Sequence, residues 1–324
     1  MKIQSLSSQA LLAFSTLAAS VSAEAAPANR FFVDPRFPSE VQAAHELFYQ
    51  EKFDAMAVEI KTALLKYPRD AAIRQDVLAL FDAAYELRGN GAVNPDYRLP
   101  DSVTWMSVAD KKRMRSSTGA IAHRFTMSLD HKAGSEIDQL RVVRYPDAVI
   151  LDKQAGIGEF EPADEPDGTK NLWAAGPNQR EALPEGLYLF DLKMKGQETM
   201  HGWFLFSRMT ATESPTVTVP AVDQVLATAT PTFAWKNFVS SEFRNYERRK
   251  VFVAVGYADG REPDLFQFSS KTGGSQPTET TVDKPLPSDE YVMRVSYRER
   301  REFGPLTLSR ESDTAVPFTV KAAK

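Results

Sequence analysis

The sequence contains no cysteine. That absence excludes disulfide bonds, thiolate metal sites, a cysteine nucleophile and the lipidated cysteine of a bacterial lipoprotein. The fold must therefore be stabilised by packing alone. Long apolar segments are also missing, because no stretch after the first residues reaches the roughly 20 apolar residues of a transmembrane helix. The sequence predicts no membrane span.

An excess of positive charge is absent as well. The formal net charge is −4 at pH 7, and it becomes −5 once residues 1–23, whose single charge is Lys2, are removed. Proteins that bind nucleic acids usually carry a basic excess. We therefore expect no nucleic-acid partner.

The amino-terminal residues have the pattern of an export signal. Lys2 precedes an apolar run from Ala10 to Val21, and the small residues Ser22 and Ala23 follow. This order of charge, apolar run and small residues is typical of a secretory signal peptide. We expect residues 1–23 to be a signal peptide cleaved after Ala23, residues 24–37 to be an extended lead-in, and the mature protein to be periplasmic or secreted.

Helical periodicity begins abruptly after residue 37. Ser39 and Gln42 stand at the spacing of a capping box, in which side chain and backbone satisfy each other's free groups at a helix start. Apolar residues then recur at helical spacing in three successive runs that end before Gly89. The sequence predicts three helices within residues 38–89.

The second helical run resembles the second helix of a tetratricopeptide repeat. The aromatic, the Ala-Leu pair and the proline of that repeat are matched by Phe53, Ala63, Leu64 and Pro68. Met56 stands where the repeat prefers alanine, and the usual glycine before the aromatic is absent. The resemblance covers about 50 residues, fewer than a free-standing solenoid needs. It implies a repeat-like cap that packs on the following domain.

Residues 90–115 are interpreted as a connector that contains a short helix from Asp101 to Met114. This segment ends in a basic cluster formed by Lys111, Lys112, Arg113 and Arg115. From Ile121 onward apolar and polar residues alternate strictly, as in a half-buried antiparallel strand. That strand would belong to a first β-sandwich over residues 116–210.

Two copies of one stretch relate this sandwich to a second one. Leu183 to Leu192 and Leu286 to Val295 each place a Leu-Pro corner and a turn before a strand-forming run that contains tyrosine. The repetition implies two β domains in tandem. Tyr188 and Tyr291 are predicted to be corner or core tyrosines.

Residues 214–322 carry the clearer strand signature. Thr230 to Trp235, a proline-led strand ending in tryptophan, resembles the second strand of a fibronectin type III or immunoglobulin-like domain. The resemblance covers about 105 residues and implies a sandwich of about seven short strands. Pro317 in the last strand fits an edge, because proline cannot donate a ladder hydrogen bond. The predicted fold class is α+β, with a three-helix segment followed by two antiparallel β-sandwiches.

No catalytic motif accompanies the four histidines, His45, His123, His131 and His201. The chain has no Gly-x-Ser-x-Gly, Ser-x-x-Lys or His-Glu-x-x-His sequence. His123 falls on the apolar side of its predicted strand, where a histidine bonded to a backbone carbonyl is preferred over a catalytic or ligand role. We predict no enzyme activity, and an uncharacterised hydrolase is the third alternative.

An acidic stretch over residues 159–168 offers oxygen ligands for calcium, of which Glu161, Asp164 and Asp167 are the candidates. It fails the EF-hand pattern, because Ala163 and Ala174 occupy the first and the last acidic positions. A solvated loop, kept out of the sheet by its prolines, is the preferred interpretation. We predict no metal and no cofactor.

The candidate binding site combines two stretches that the sandwich fold brings to one end. Both stretches mix arginine with aromatic residues, the composition of binding hot spots. The hypothesis is a surface for an anionic envelope protein or glycan, and the alternative is a solvated end whose Glu and Arg side chains pair with each other. The candidate residues are Arg244, Tyr246, Arg248 and Arg249 in the first stretch and Arg298, Arg300, Arg301 and Phe303 in the second.

These observations predict a non-catalytic exported envelope protein that acts as an adaptor or protein-interaction module. The alternative is a carbohydrate- or peptidoglycan-binding protein that uses exposed aromatics such as Trp173 or Tyr246. A glycan binder should present a row of exposed rings on one sheet face. An adaptor should present a charged or apolar patch without such a row.

Overall fold

The computed structural model describes residues 34–88, 97–165, 167–207, 214–236, 250–261, 264–270 and 277–321. The predicted signal peptide and residues 24–33 of the predicted lead-in lie outside these residues. Among the helices described, none is long and apolar enough to cross a bilayer.

Three helices occupy the amino-terminal part, as the apolar periodicity predicts. The capping box was a wrong prediction, because Pro38 takes the cap position and Gln42 donates to the carbonyl oxygens of Pro35 and Phe37 instead. The helices are α1 Ser39–Tyr49, α2 Phe53–Lys66 and α3 Ala71–Arg88.

Sixteen strands follow the helices in the described part of the chain. The first eight are β1 Val103–Arg115, β2 Ala120–His131, β3 Ile137–Arg144, β4 Ala148–Asp152, β5 Glu159–Asp164, β6 Lys170–Ala175, β7 Gly186–Met194 and β8 Thr199–Phe206. The remaining eight are β9 Val217–Val219, β10 Gln224–Leu226, β11 Thr232–Trp235, β12 Lys250–Tyr257, β13 Phe266–Ser269, β14 Glu279–Thr281, β15 Asp289–Phe303 and β16 Leu306–Val320.

One large sheet runs through both sandwiches. Its strand order is β13-β12-β15-β16-β1-β2-β6-β5, and β10 also pairs with β16. A four-stranded sheet of order β4-β3-β7-β8 packs on the β1 side of the large sheet, and a three-stranded sheet of order β14-β11-β9 packs on the β12 side. The three helices and the first sandwich share one apolar core, while the second sandwich has a separate core.

The hairpin of β15 and β16 joins the two sandwiches. Each strand has 15 residues, and Gly304 makes the turn with a φ of 57°, a conformation that favours glycine. Near its base β15 pairs with β12, whereas residues 306–315 of β16 pair in parallel with residues 106–115 of β1. The hairpin therefore starts in the second sandwich and ends in the core of the first.

Strand β1 corrects the interpretation of residues 90–115 as a connector with a short helix. Val103, Met106 and Val108 are buried in the shared core. In a strand successive side chains point to opposite faces. The basic cluster is consequently split, with Lys111, Arg113 and Arg115 on the outer face and Lys112 on the inner one.

Pro317 lies in a strand with neighbours on both sides, although the sequence predicted an edge strand. The ladder between β16 and β1 ends at Ala315, and the ladder between β16 and β10 begins at Phe318. Proline thus occupies a gap between two ladders, where no partner strand requires its missing N–H.

Candidate functional site

The predicted binding end is only partly within the described residues. Arg244, Tyr246, Arg248 and Arg249 lie outside them. The second stretch is not a loop, because β15 continues through Phe303 and pairs residue by residue with β16. Alternation along β15 therefore sends Arg298 and Arg300 to one face and Arg301 and Phe303 to the other.

Arg301 and Phe303 are buried and serve the protein's own packing. Arg301 is 1% exposed, and its Nη1 lies 2.5 Å from a carboxylate oxygen of Asp82 on α3 and donates to Ser207 Oγ at 2.8 Å. Its guanidinium also lies over the ring of Tyr85, 4.8 Å from the centroid. A ligand in solution cannot reach these two residues, so their assignment to a binding surface was wrong.

Arg298 lies on the outer face of β15 but is already engaged. Its Nε is 2.6 Å from a carboxylate oxygen of Glu311, its register partner on β16. Lys111 of β1 contacts the other oxygen of Glu311 at 3.3 Å. This pairing of arginine with glutamate matches the alternative that the sequence left open.

A basic groove instead lies on the outer face of the first sandwich. Lys111, Arg113 and Arg115 alternate along β1, and β2 places Arg124 opposite Lys111. The groove has a volume of about 510 Å³, and Trp173 of β6 closes one side. It is also lined by Thr118, Ala120, Ile121, Ala122, Thr126 and Asn178.

Two of the four cations in the basic groove are held by the protein. Arg124 lies 2.6 Å from a carboxylate oxygen of Glu159, donates to the carbonyl of Gly176 at 2.9 Å and lies over the Trp173 ring. Lys111 has its contact with Glu311. Arg113 and Arg115 are exposed, and neither forms an ion pair with any residue in the described ranges. These two guanidinium groups are the ones available to a partner.

The four histidines are dispersed in the fold, and the rings of three of them contact a polar side chain of the protein. The ring of His45 contacts Asp76 at 2.7 Å, that of His131 contacts Ser135 at 3.1 Å and that of His201 contacts Asp191 at 2.7 Å. His123 does not match its expected bond to a backbone carbonyl, because its Nδ1 lies 3.4 Å from a carboxylate oxygen of Asp110.

The acidic stretch is an edge strand for most of its length, so its interpretation as a loop was wrong. Strand β5 includes Glu161 and Asp164, and Pro162 is tolerated there because β5 ends the sheet. Asp167 accepts hydrogen bonds from the N–H and the hydroxyl of Thr169 at 2.9 and 2.6 Å. Within the described residues no three potential metal ligands come together.

Neither a protein-family model nor a curated protein matches this chain. The FN1–FN3 domains of chicken CNTN1 are 12% identical over 69% of this chain and 66% of that chain, with a TM-score of 0.23. The tandem Ig repeats of Dlar are 11% identical over 68% of this chain and 100% of that chain, with a TM-score of 0.32. Scores this low carry no inference about function, and the sandwich architecture stands on the strand order itself.

The basic groove was not predicted from the sequence, because the basic cluster at residues 111–115 was assigned to a connector rather than to a strand. The signal that identifies a strand was present, since Val103, Met106 and Val108 precede the cluster with the spacing of a strand that contains one irregularity. Once β1 is read as a strand, three cations at alternate positions must share a face.

Proposed function

We propose that the protein is a non-catalytic, exported adaptor that binds an acidic protein segment in the basic groove. The observation that carries the proposal is the pair of exposed arginines, Arg113 and Arg115, at alternate positions of a rigid central strand. Arginine presents a planar fork of donors that matches carboxylates in a bidentate manner. A segment with Glu or Asp at alternate positions of an extended chain would match this spacing.

The lining of the basic groove favours a protein partner over a glycan. Trp173 is the one aromatic ring among the described residues that line it, so these residues form no row of stacking platforms. Ile121 adds an exposed apolar surface, being 46% exposed at the rim. An acidic peptide that carries one or two apolar side chains complements this combination.

The proposal is tested by the binding of a fluorescein-labelled peptide of alternating glutamate and leucine, measured by anisotropy. The charge reversal Arg113→Glu with Arg115→Glu should abolish saturable binding, and binding to the unaltered protein should weaken as salt is raised. Lys132→Glu with Lys284→Glu changes two exposed lysines outside the groove by the same net charge and should leave affinity unchanged.

Two results would count against the adaptor function. Equal losses in the two double variants would show that net charge, rather than the groove, attracts the peptide. Saturable binding of an acidic oligosaccharide in place of the peptide, lost in Trp173→Ala, would assign the groove to a glycan.

A further inference from the structure

A small cavity lined mainly by polar residues lies on the opposite face of the same strands, where the core of the first sandwich ends. Along the inner face of β1 the buried Met106 and Val108 are followed by Asp110 and Lys112. The same change from apolar to polar occurs on β2, from Phe125 to His123. On β16 it occurs from Leu308 to Arg310 and Ser312. Strands β1 and β16 therefore turn polar at the pair Asp110 and Arg310, and β2 turns polar at His123, opposite Lys112.

These side chains line a volume of about 230 Å³. Arg310 and Asp110 are register partners, as are Ser312 and Lys112, and Lys112 also lies opposite His123. The volume is below the roughly 300–1,000 Å³ of pockets for drug-sized ligands, so only a small molecule would fit. Its wall is formed by Asp110, Lys112, His123, Ala182, Arg310, Glu311 and Ser312.

Several atoms in this cavity have no hydrogen-bond partner among the described protein atoms. Asp110 is 3% exposed, and its Oδ1 lies 3.4 Å from the ring of His123 without forming a hydrogen bond. His123 Nδ1 and Arg310 Nε are also buried and unpartnered. Although Asp110 and Arg310 are neighbours in register, no ion pair joins them within the described residues.

This arrangement is costly for the protein alone. When a carboxylate oxygen is buried without a hydrogen bond, the free energy lost by removing it from water is not compensated. Arg310 is meanwhile held in place by Phe206, whose ring centroid lies 5.3 Å from the guanidinium carbon. A positive group and a negative group are thus fixed beside one small volume without neutralising each other.

We infer that this cavity binds a free α-amino acid as its zwitterion. The ligand carboxylate accepts hydrogen bonds from Arg310 and Lys112, a pairing for which the guanidinium is suited. The ligand ammonium donates to Asp110 Oδ1 and to Nδ1 of His123. One molecule then satisfies the unpartnered atoms of both signs, which neither a simple anion nor a simple cation does.

The selectivity of the unaltered mature protein is the first test, measured by isothermal titration calorimetry. L-Alanine should bind saturably at one site per chain. Lactate, in which a hydroxyl replaces the ammonium, should bind about tenfold more weakly or worse, because it lacks the charged hydrogen bond to Asp110. Equal affinities for the two compounds, or no saturable binding of alanine, glycine or glutamate, would overturn the inference.

Two substitutions then assign the ends of the ligand. Asp110→Asn should weaken alanine about tenfold while leaving lactate unchanged or tighter, a divergence that loss of folding cannot produce. Arg310→Gln should weaken both compounds, and Arg141→Gln, at an exposed position of β3, should weaken neither. Parallel losses of alanine and lactate in Asp110→Asn would contradict the assignment of the ammonium to Asp110.

Discussion

The guanidinium of Arg301 lies 2.5 Å from the carboxylate of Asp82, although 219 residues separate them in sequence. Asp82 belongs to α3 and Arg301 to the tip half of the β15–β16 hairpin. Ser207, at the end of the first sandwich, donates to Asp82 at 2.5 Å and accepts from Arg301 at 2.8 Å. The helices, the first sandwich and the hairpin from the second sandwich are joined at this point.

Removing the charge of Arg301 should therefore destabilise the whole chain. Arg301→Ala leaves the carboxylate of Asp82 without its partner and should lower the free energy of unfolding by about 3 kcal/mol, measured from denaturant unfolding curves. Arg300→Ala, on the other face of β15, should cost less than about 1 kcal/mol. Replacing both partners, as Arg301→Met with Asp82→Leu, should restore most of the loss. A loss below about 1 kcal/mol in Arg301→Ala would show that the pair does not stabilise the junction.

The tip of the hairpin should couple the unfolding of the two cores. Phe303 is fully buried against the rings of Phe81, Tyr85 and Tyr97. Phe303→Ala should lower the free energy of unfolding by about 3–5 kcal/mol. It should also split a single calorimetric transition into two, because the second core loses its contact with the first. Phe252→Ala, on the half-buried outer face of β12, should leave one transition. Two transitions in the unaltered protein would contradict the coupling.

The repeated Leu-Pro stretch makes the same corner twice. The hydroxyl of Tyr188 donates to the carbonyl of Pro184 at 2.7 Å, and that of Tyr291 donates to Pro287 at 2.8 Å, with both tyrosines buried. Tyr188→Phe and Tyr291→Phe should each cost about 1 kcal/mol, and the losses should add in the double variant because the two lie in separate cores. A loss in only one variant would show that the corners are not equivalent.

Asp313 should make stability depend on pH. Burial raises its pKa above the ordinary value of 3.8, with the nearby Glu311 acting in the same direction. A carboxyl whose pKa is raised in the folded state stabilises the folded protein when the carboxyl is protonated. This stabilisation is fully present below pH 3.8, the ordinary pKa, and it is lost as the pH rises through the folded-state pKa. Asp313→Asn should therefore raise the Tm at neutral pH, and the gain should vanish in acid.

Calorimetry across this pH range checks the effect of Asp313, with the exposed Glu181→Gln as the control. The Tm difference between Glu181→Gln and the unaltered protein should stay flat. A gain in Asp313→Asn that grows as the pH falls would contradict the assigned direction of the pKa shift.

Local patterns in the sequence were enough for the three helices, the two-sandwich architecture and the two corner tyrosines. The helices and the corners depend on contacts close in sequence: apolar residues one helical turn apart, or a hydroxyl and a carbonyl four residues apart. The two sandwiches were predictable from a repeated local stretch. The long hairpin was not predictable in this way. The run from Arg298 to Glu302 is polar, and it precedes Gly304 and Pro305, so by itself it has the composition of a solvated loop.

The sequence by itself determined the three helices and that two β domains follow one another. Only the tertiary structure decided that Arg301 is buried in an ion pair with Asp82. The tertiary structure likewise decided that Arg113 and Arg115 are exposed on the outer face of β1. The physical reason is that a polar side chain is buried or exposed according to what packs against its strand. For β15 and β1 those partners come from chain segments about 200 residues away.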